Sequence, residues 1–279
     1  MKRITFTEGD RLLQGFFHRQ ANDGTIFHVR SCENPTIHVQ FSGNKITATH
    51  AWQGDIKSYA CFGGSLYFFA DKIYKATFVP PEGIQIDAIR ELEPEEKRES
   101  NMLLSRMRDG KKVIYRACDA PNDGIEIDAA DDDLKDYYPL AIHRGKLVFL
   151  KYANEVSARA ISKNIIGISI LGTPMEKAIY ANDDSAFIYL CTTWTLFMLE
   201  VSTMQLFSTK HRNGQKLCLE YVIGVHDGTI TVKAYSRGEF RLYAAPIPNI
   251  QDMKEVLAVD KKRRREDVDL AEEIEKQTK

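Results

Sequence analysis

Residues 56–92, IKSYACFGGSLYFFADKIYKATFVPPEGIQIDAIREL, place four strand signals one after another. Lys57–Phe62 reads as a first strand, ended by Gly63-Gly64. Leu66–Phe69 is a continuous apolar run, the pattern of a strand buried on both faces. Asp71-Lys72 is a polar turn of hairpin length. Ile73–Val79 then alternates, with Ile73, Lys75, Thr77 and Val79 on one face and Tyr74, Ala76 and Phe78 on the other. Pro80-Pro81-Glu82-Gly83 is a turn, and Ile84–Ile89 alternates again.

A variant of this unit recurs. Its apolar hairpin starts two positions after Gly64, and comparable starts follow Gly24, Gly145 and Gly228, with weaker ones past Gly110 and after Asp183-Asp184-Ser185. The six starts are Ile26, Leu66, Val113, Leu147, Phe187 and Ile230, spaced by 40, 47, 34, 40 and 43 residues. Each is followed by a second strand: Ile37–Phe41, Ile73–Val79, Ile125–Ile127, Val156–Ile161, Leu196–Val201 and Phe240–Ala244. Further strands precede several hairpins (Ser58–Cys61, Pro139–His143, Lys177–Tyr180, Leu217–Val225) or follow them (Lys45–His50, Ile84–Ile89, Ile165–Leu171, Met204–Thr209).

A four-stranded unit repeating every forty-odd residues resembles the blade of a β-propeller. One blade cannot cover its own faces; radial packing buries both, so its middle strands must be apolar on both sides. Leu66–Phe69, Leu147–Leu150 and Phe187–Leu190 meet that demand. The resemblance implies an all-β fold: a six-bladed β-propeller of four-stranded antiparallel blades over residues 1–250, with a charged C-terminal tail, helical or disordered, over 251–279. No propeller family is singled out, because the Gly-His and Trp-Asp pairs of WD40 repeats and the double glycines of kelch repeats are missing. The third unit is the weakest, flanked by the charged stretch Glu91–Asn101 and the acidic run Asp128–Asp136. The last unit lacks an outer strand after Pro248. Arg3–Thr7, alternating Ile4 and Phe6 with Thr5 and Thr7, is expected to supply it, joining the chain ends and covering an edge.

Beyond Pro248 the chain has no aromatic residue, glycine or proline, and Asn249 or Asp252 is placed to cap a helix. The 43% hydrophobic content suffices for a large core, and the net charge of −1 argues against a general polyanion binder. No apolar run reaches a membrane span, and the N-terminus lacks a signal-peptide core. The five cysteines are scattered with no CxxC pair, which fits small buried side chains in a reducing compartment.

Motifs for chemistry are sparse. Lys261, Lys262, Arg263, Arg264 and Arg265 resemble a nuclear localisation signal, with a solvated helical face as the alternative. The Glu266-Asp267-Val268-Asp269 run that follows argues against a nucleic-acid arm. His18, His28, His38 and His50 crowd the first unit; hydrogen-bonded strand histidines are expected there rather than a metal site. The acidic loop from Asp128 to Asp133 lacks the order of a calcium loop. GxSxG, P-loop, GxGxxG and HExxH motifs are absent, and no cofactor is implied. Some six-bladed propellers are metal-dependent hydrolases of lactonase or phosphotriesterase type. The expected inner strands here offer only Glu220 as an acid, with Asn182 and Asp183 just beyond.

The remaining reading is a non-enzymatic interaction scaffold or adaptor that docks a peptide or protein partner in the nucleus or cytoplasm. In a propeller, the turns between second and third strands and the links between blades emerge on one face. That face is expected to present Trp52, Lys57, Tyr152, Trp194, Arg212 and Arg237, residue types enriched at binding hot spots. The alternative for both tryptophans is packing between blades.

Overall fold

The computed structural model describes residues 5–12, 16–21, 23–31, 33–41, 46–62, 64–92, 97–98, 104–109, 112–117, 120–128, 134, 136–153, 156–171, 179–181, 186–210 and 217–255. These residues form six sheets, numbered here I to VI in chain order. Sheet I contains Phe17–Gln20, Ile26–Arg30, Thr36–Gln40 and Ile46–Ala51, and sheet II Ser58–Phe62, Ser65–Phe69, Ile73–Val79 and Gly83–Arg90. Sheet III contains Lys97–Arg98, Leu104–Asp109, Lys112–Ala117 and Ala120–Asp128. Sheet IV is built from Tyr138–His143, Lys146–Ala153, Ser157–Ser162 and Ile165–Leu171. Sheet V contains Ile179–Ala181, Phe187–Thr192, Thr195–Glu200, Gln205–Lys210 and Lys254–Glu255; sheet VI contains Cys218–His226, Thr229–Ser236, Glu239–Pro246 and Thr7–Arg11. Five of the six are antiparallel throughout, with strands adjacent in the order met along the chain, apart from the terminal strands added to V and VI. The protein is a β-propeller.

The apolar clusters lie between successive sheets, and strand periodicity puts them there. In sheet V, Ile188, Leu190, Phe197 and Leu199 join Val148, Leu150, Ile166 and Ile168 of sheet IV. Their neighbours Tyr189, Cys191, Leu196 and Met198 point the other way, onto Val222, Ile230 and Val232 of sheet VI. Phe27, Val29 and Ile37 of sheet I meet Leu66 and Phe68 of sheet II, and Tyr115 of sheet III meets Leu147 and Phe149 of sheet IV. Each middle strand therefore buries two faces, as its apolar runs require.

The N-terminal segment closes the ring. Thr7–Arg11 pairs antiparallel with Glu239–Pro246, with Thr7 opposite Ala244 and Glu8 opposite Tyr243; Thr5 and Phe6 precede the strand, and Arg3 and Ile4 lie outside the described residues. Phe6 is buried in the cluster between sheets V and VI.

Sheet III corrects the expected register. Val113 lies in the third strand of that sheet, not the second, and Ile125–Ile127 in the fourth. The second strand is Leu104–Asp109, so the start at residue 104 makes the spacings 40, 38, 43, 40 and 43. Its sequence, LSRMRD, is too charged to announce a middle strand.

Sheet IV departs from the meander. Ile165–Leu171 runs parallel to Lys146–Ala153 and sits in third place, with Ser157–Ser162 displaced to the outer edge. Burial explains the exchange: Ile165, Ile166 and Ile168 are buried, whereas Arg159, Ala160 and Ser162 are exposed. The more apolar strand takes the position covered on both faces, and Gly167 lets the Tyr137 ring lie against it; a β-carbon there would be 2.9 Å from Tyr137 Cε1.

After Pro248, Asn249 caps a single 3-10 turn, Ile250–Asp252, through its side-chain oxygen and the Gln251 N–H. The chain then pairs as Lys254–Glu255 with Phe207 and Ser208 on the outer edge of sheet V. No helix among the described residues is long and apolar enough to cross a membrane.

Candidate functional site

The face expected from blade geometry is recorded in backbone hydrogen bonds. The links between sheets fold against the turns that join second to third strands. Trp52 N donates to Pro35 O at 2.9 Å and Ile56 N to Ser31 O at 3.0 Å, which ties the link from sheet I to the turn of sheet I. Lys57 N donates to Phe69 O at 2.7 Å and Leu219 N to Thr193 O at 3.0 Å, which ties two links to the turns of the next and preceding sheets.

This face is rich in exposed aromatic side chains. Tyr138 (62% exposed), Tyr152 (41%), Trp194 (53%), Tyr235 (42%) and Phe240 (41%) are five of the eight exposed large hydrophobics among the described residues. All five lie at the starts of first strands, in second-to-third turns or at the strand ends beside them. The Tyr138 and Tyr152 rings sit 6.1 Å apart on sheet IV. Trp194 occupies the two-residue turn of sheet V. On sheet VI, Cys218 is paired with Tyr235, and Tyr235 with Phe240; the Tyr235 and Phe240 ring centroids are 5.1 Å apart.

A basic cluster adjoins the last pair. Lys233 Nζ lies 4.4 Å from the Phe240 ring centre, 5.3 Å from that of Tyr221 and 2.7 Å from Glu220 Oε2. Arg19 of sheet I approaches the other side of the seam, 5.6 Å from the Tyr221 ring centre. Arg237 forms the hairpin turn with Gly238, at φ 52° and 88° respectively. Positive φ at both positions suits Asn-Gly or Asp-Gly; an arginine there is conformationally costly.

The residues named from sequence fall in different settings. Trp194 lies exposed in the turn of sheet V, and Arg237 in the turn that joins the strands of Tyr235 and Phe240, whose rings lie on the face of sheet VI turned toward sheet I. Tyr152 is exposed beside Tyr138, and Lys57 is exposed in the link into sheet II. Trp52 is half-buried, its ring 4.9 Å from Phe68 and 4.6 Å from Tyr74 in edge-on contacts. Arg212, Asn182, Asp183 and the basic run 261–265 lie outside the described residues. Tyr138, Tyr235 and Phe240 were missed because, in sequence, each is an ordinary strand aromatic; only their position at an exposed strand end distinguishes them.

The histidines of sheet I form a buried polar chain. His18 pairs across the ladder with His28, and His28 with His38. His18 Nδ1 and His28 Nδ1 are 2.7 Å apart, and His28 Nε2 is 3.2 Å from Gln40 Oε1. With the amide oxygen as acceptor, His28 carries its proton on Nε2. Its Nδ1 then accepts from His18 Nδ1–H, so both rings are neutral. His18 N–H donates to Tyr221 Oη at 3.3 Å, joining sheets I and VI. Burial lowers His18 to about 2, helped by His28, Lys233 and Arg19. Burial lowers His28 to about 4 against the opposing Gln40 hydrogen bond. Burial likewise raises the thiols of Cys61 and Cys191, which are core side chains. Among the described residues no three His, Cys, Asp or Glu side chains gather as a metal site, and Glu220 is engaged by Lys233.

No protein-family model and no curated protein sequence matches the chain. Among solved structures, it is similar to the Neurospora crassa Pan2 WD40 domain, at 10% identity and a TM-score of 0.41, over 91% of this chain and 99% of that one. It is also similar to the AfRom2 CNH domain, at 9% identity and a TM-score of 0.26, over 86% of this chain and 65% of that one.

Proposed function

We propose that this protein is a non-enzymatic interaction scaffold that docks a peptide or partner domain on the face carrying Tyr138, Tyr152, Trp194, Tyr235 and Phe240. The observation that carries this reading is the gathering of five exposed aromatics at one set of strand ends. Aromatic side chains bury large areas at low entropic cost and dominate binding hot spots. A rigid ring of sheets holds them in place without induced ordering, which favours affinity. Trp194→Ala and Tyr235→Ala tests the assignment: both variants should melt near wild type and lose a partner that wild type captures. Retention of the same partners by both folded variants refutes it.

The working compartment is the nucleus or a complex that shuttles through it, a reading supported by the basic run 261–265. Alanine replacement of Lys261 to Arg265 should move a fluorescent fusion out of the nucleus while its melting temperature stays unchanged. A fusion excluded from the nucleus with the motif intact overturns this reading.

A further inference from the structure

The seam between sheets VI and I is built differently from the seams on either side of it. Between sheets V and VI, Leu196, Met198, Val222, Ile230 and Val232 are buried in one apolar cluster. Between sheets I and II, Phe27, Val29, Ile37, Leu66 and Phe68 are buried in another. Across the VI–I seam the apolar cluster is Leu12, Tyr221, Ile223 and Leu242, and Ile26 is the residue of sheet I that packs against it. The middle of sheet I's face on this seam is polar instead. His18, His28 and His38 are paired in register on three adjacent strands, on the face opposite to Phe27 and Val29. His18 is fully buried and His28 is 4% exposed.

The groups around this ladder do not welcome a proton. His28 and Arg19 of sheet I, with Tyr221 and Lys233 of sheet VI, face His18. Glu220 is engaged by Lys233 at 2.7 Å. His38, which acts on His28, is bonded to Thr49 at 2.7 Å; Arg30 is paired with Glu33, and His226 lies against Gly24 at the far end of the seam. Among the described residues no carboxylate acts on His18 or His28. With Nδ1 of His18 donating to His28, Nε2 is the ring nitrogen left to take a proton, and it is buried without a hydrogen-bond partner. A proton there makes a buried imidazolium beside Lys233 and Arg19, with no acceptor for its new N–H. Water must enter the seam before the ring can charge. We propose that the VI–I seam is a pH-operated joint, closed while the histidine ladder is neutral and opened by its protonation, with the six sheets themselves left intact. The joint is a property of the ring and does not depend on what docks there.

The His18 amide is a reporter of this joint, because it donates across the seam to Tyr221 Oη. Its hydrogen exchange, measured by NMR on the full chain and corrected for the intrinsic effect of pH, reads the open fraction. In the closed seam His18 and His28 titrate at about 2 and about 4; hydrated in the open state, each returns to the ordinary 6.5. The open state therefore gains protons first as pH falls. From pH 7 to 5.5 its population should rise about eightfold for each histidine and about seventyfold for the pair. Sub-denaturing urea should scarcely change this exchange, since opening one seam exposes little surface. Amides of Phe187–Thr192 in sheet V should stay more protected and respond steeply to urea. His18→Gln should cut the rise at the residue-18 amide to about eightfold, and His18→Gln/His28→Gln should remove it. The joint is overturned if His18 exchange is the same at both pH values, if the rise persists in the double variant, or if it carries the urea dependence of sheet V, which marks global unfolding. Should the histidine variants fail to fold, the urea dependence in wild type decides alone.

Discussion

His18 and His28 share one proton between their Nδ1 atoms, and a second proton on His28 would set two N–H groups against each other. Both folded values lie below the ordinary 6.5, at about 2 and about 4. The unfolded chain therefore takes up protons first as pH falls, and the stability present above pH 6.5 is lost on acidification. Between pH 6.5 and 5 each histidine should remove about 2 kcal/mol. Urea midpoints measured from pH 7 to 5 should fall steeply in wild type and less so in His18→Gln/His28→Gln; equal slopes would show that these rings do not govern the response. Trp52 invites a second test at this scale. Its contacts with Phe68 and Tyr74 put the cost of Trp52→Ala at about 3 kcal/mol. Trp194→Ala should cost under about 1 kcal/mol because half the side chain already meets solvent. Chemical denaturation of the two variants separates these settings directly.

At the scale of elements, Thr7–Arg11 completes sheet VI with residues from the opposite end of the chain. Phe6, just before it, anchors in the cluster between sheets V and VI. Deleting residues 1–8 removes that anchor and two ladder pairs. Loss of Phe6 burial alone is worth about 2 kcal/mol, a fall of at least about 4 °C in melting temperature. An unchanged melting temperature would mean that sheet VI does not need its fourth strand. The alternation of Ile4, Phe6 and their neighbours made a closing strand legible, yet its register was not. Thr7–Arg11 carries no apolar alternation; Gly9 is admitted because it passes close to the Leu242 carbonyl, with a β-carbon there only 3.1 Å from that oxygen. Sheet IV shows the same division. Both Ser157–Ser162 and Ile165–Leu171 were readable as strands, but their spatial order was decided by competition for the doubly covered position.

For the whole molecule, the seam between sheets VI and I joins the last sheet to the first. Their inner strands approach closely, with a β-carbon on Gly224 falling 2.5 Å from Gln20 Cβ and 3.0 Å from its carbonyl oxygen. On the same seam, a β-carbon on Gly24 would meet the His226 ring at 2.7 Å, and His18 N–H reaches Tyr221 Oη. Gly224→Val should force the sheets apart and cost about 1–3 kcal/mol by overpacking. Equilibrium unfolding checks this, and a neutral result would show that the seam yields without strain. The same seam places Arg19 against Tyr221, so Gly224→Val should also loosen that contact.

The chain by itself determined that the protein repeats a four-stranded unit about every forty residues, and which strands must be buried on both faces. Runs such as Leu66–Phe69 and Leu147–Leu150 carry that information locally, through period-two alternation and glycine-marked turns. It also pointed to the face on which turns and links converge, and so to Trp194, Tyr152 and Arg237. Only the tertiary structure decided what depends on neighbours distant in sequence. Leu104–Asp109 becomes a middle strand although its composition is polar, because it pairs on both sides. Tyr235 and Phe240 become a surface pair through cross-strand register, and Trp52 becomes a packed ring because Phe68 and Tyr74 of the next sheet close over it. Side-chain alternation specifies which residues share a face of a strand; what covers that face is set by the sheet that packs against it.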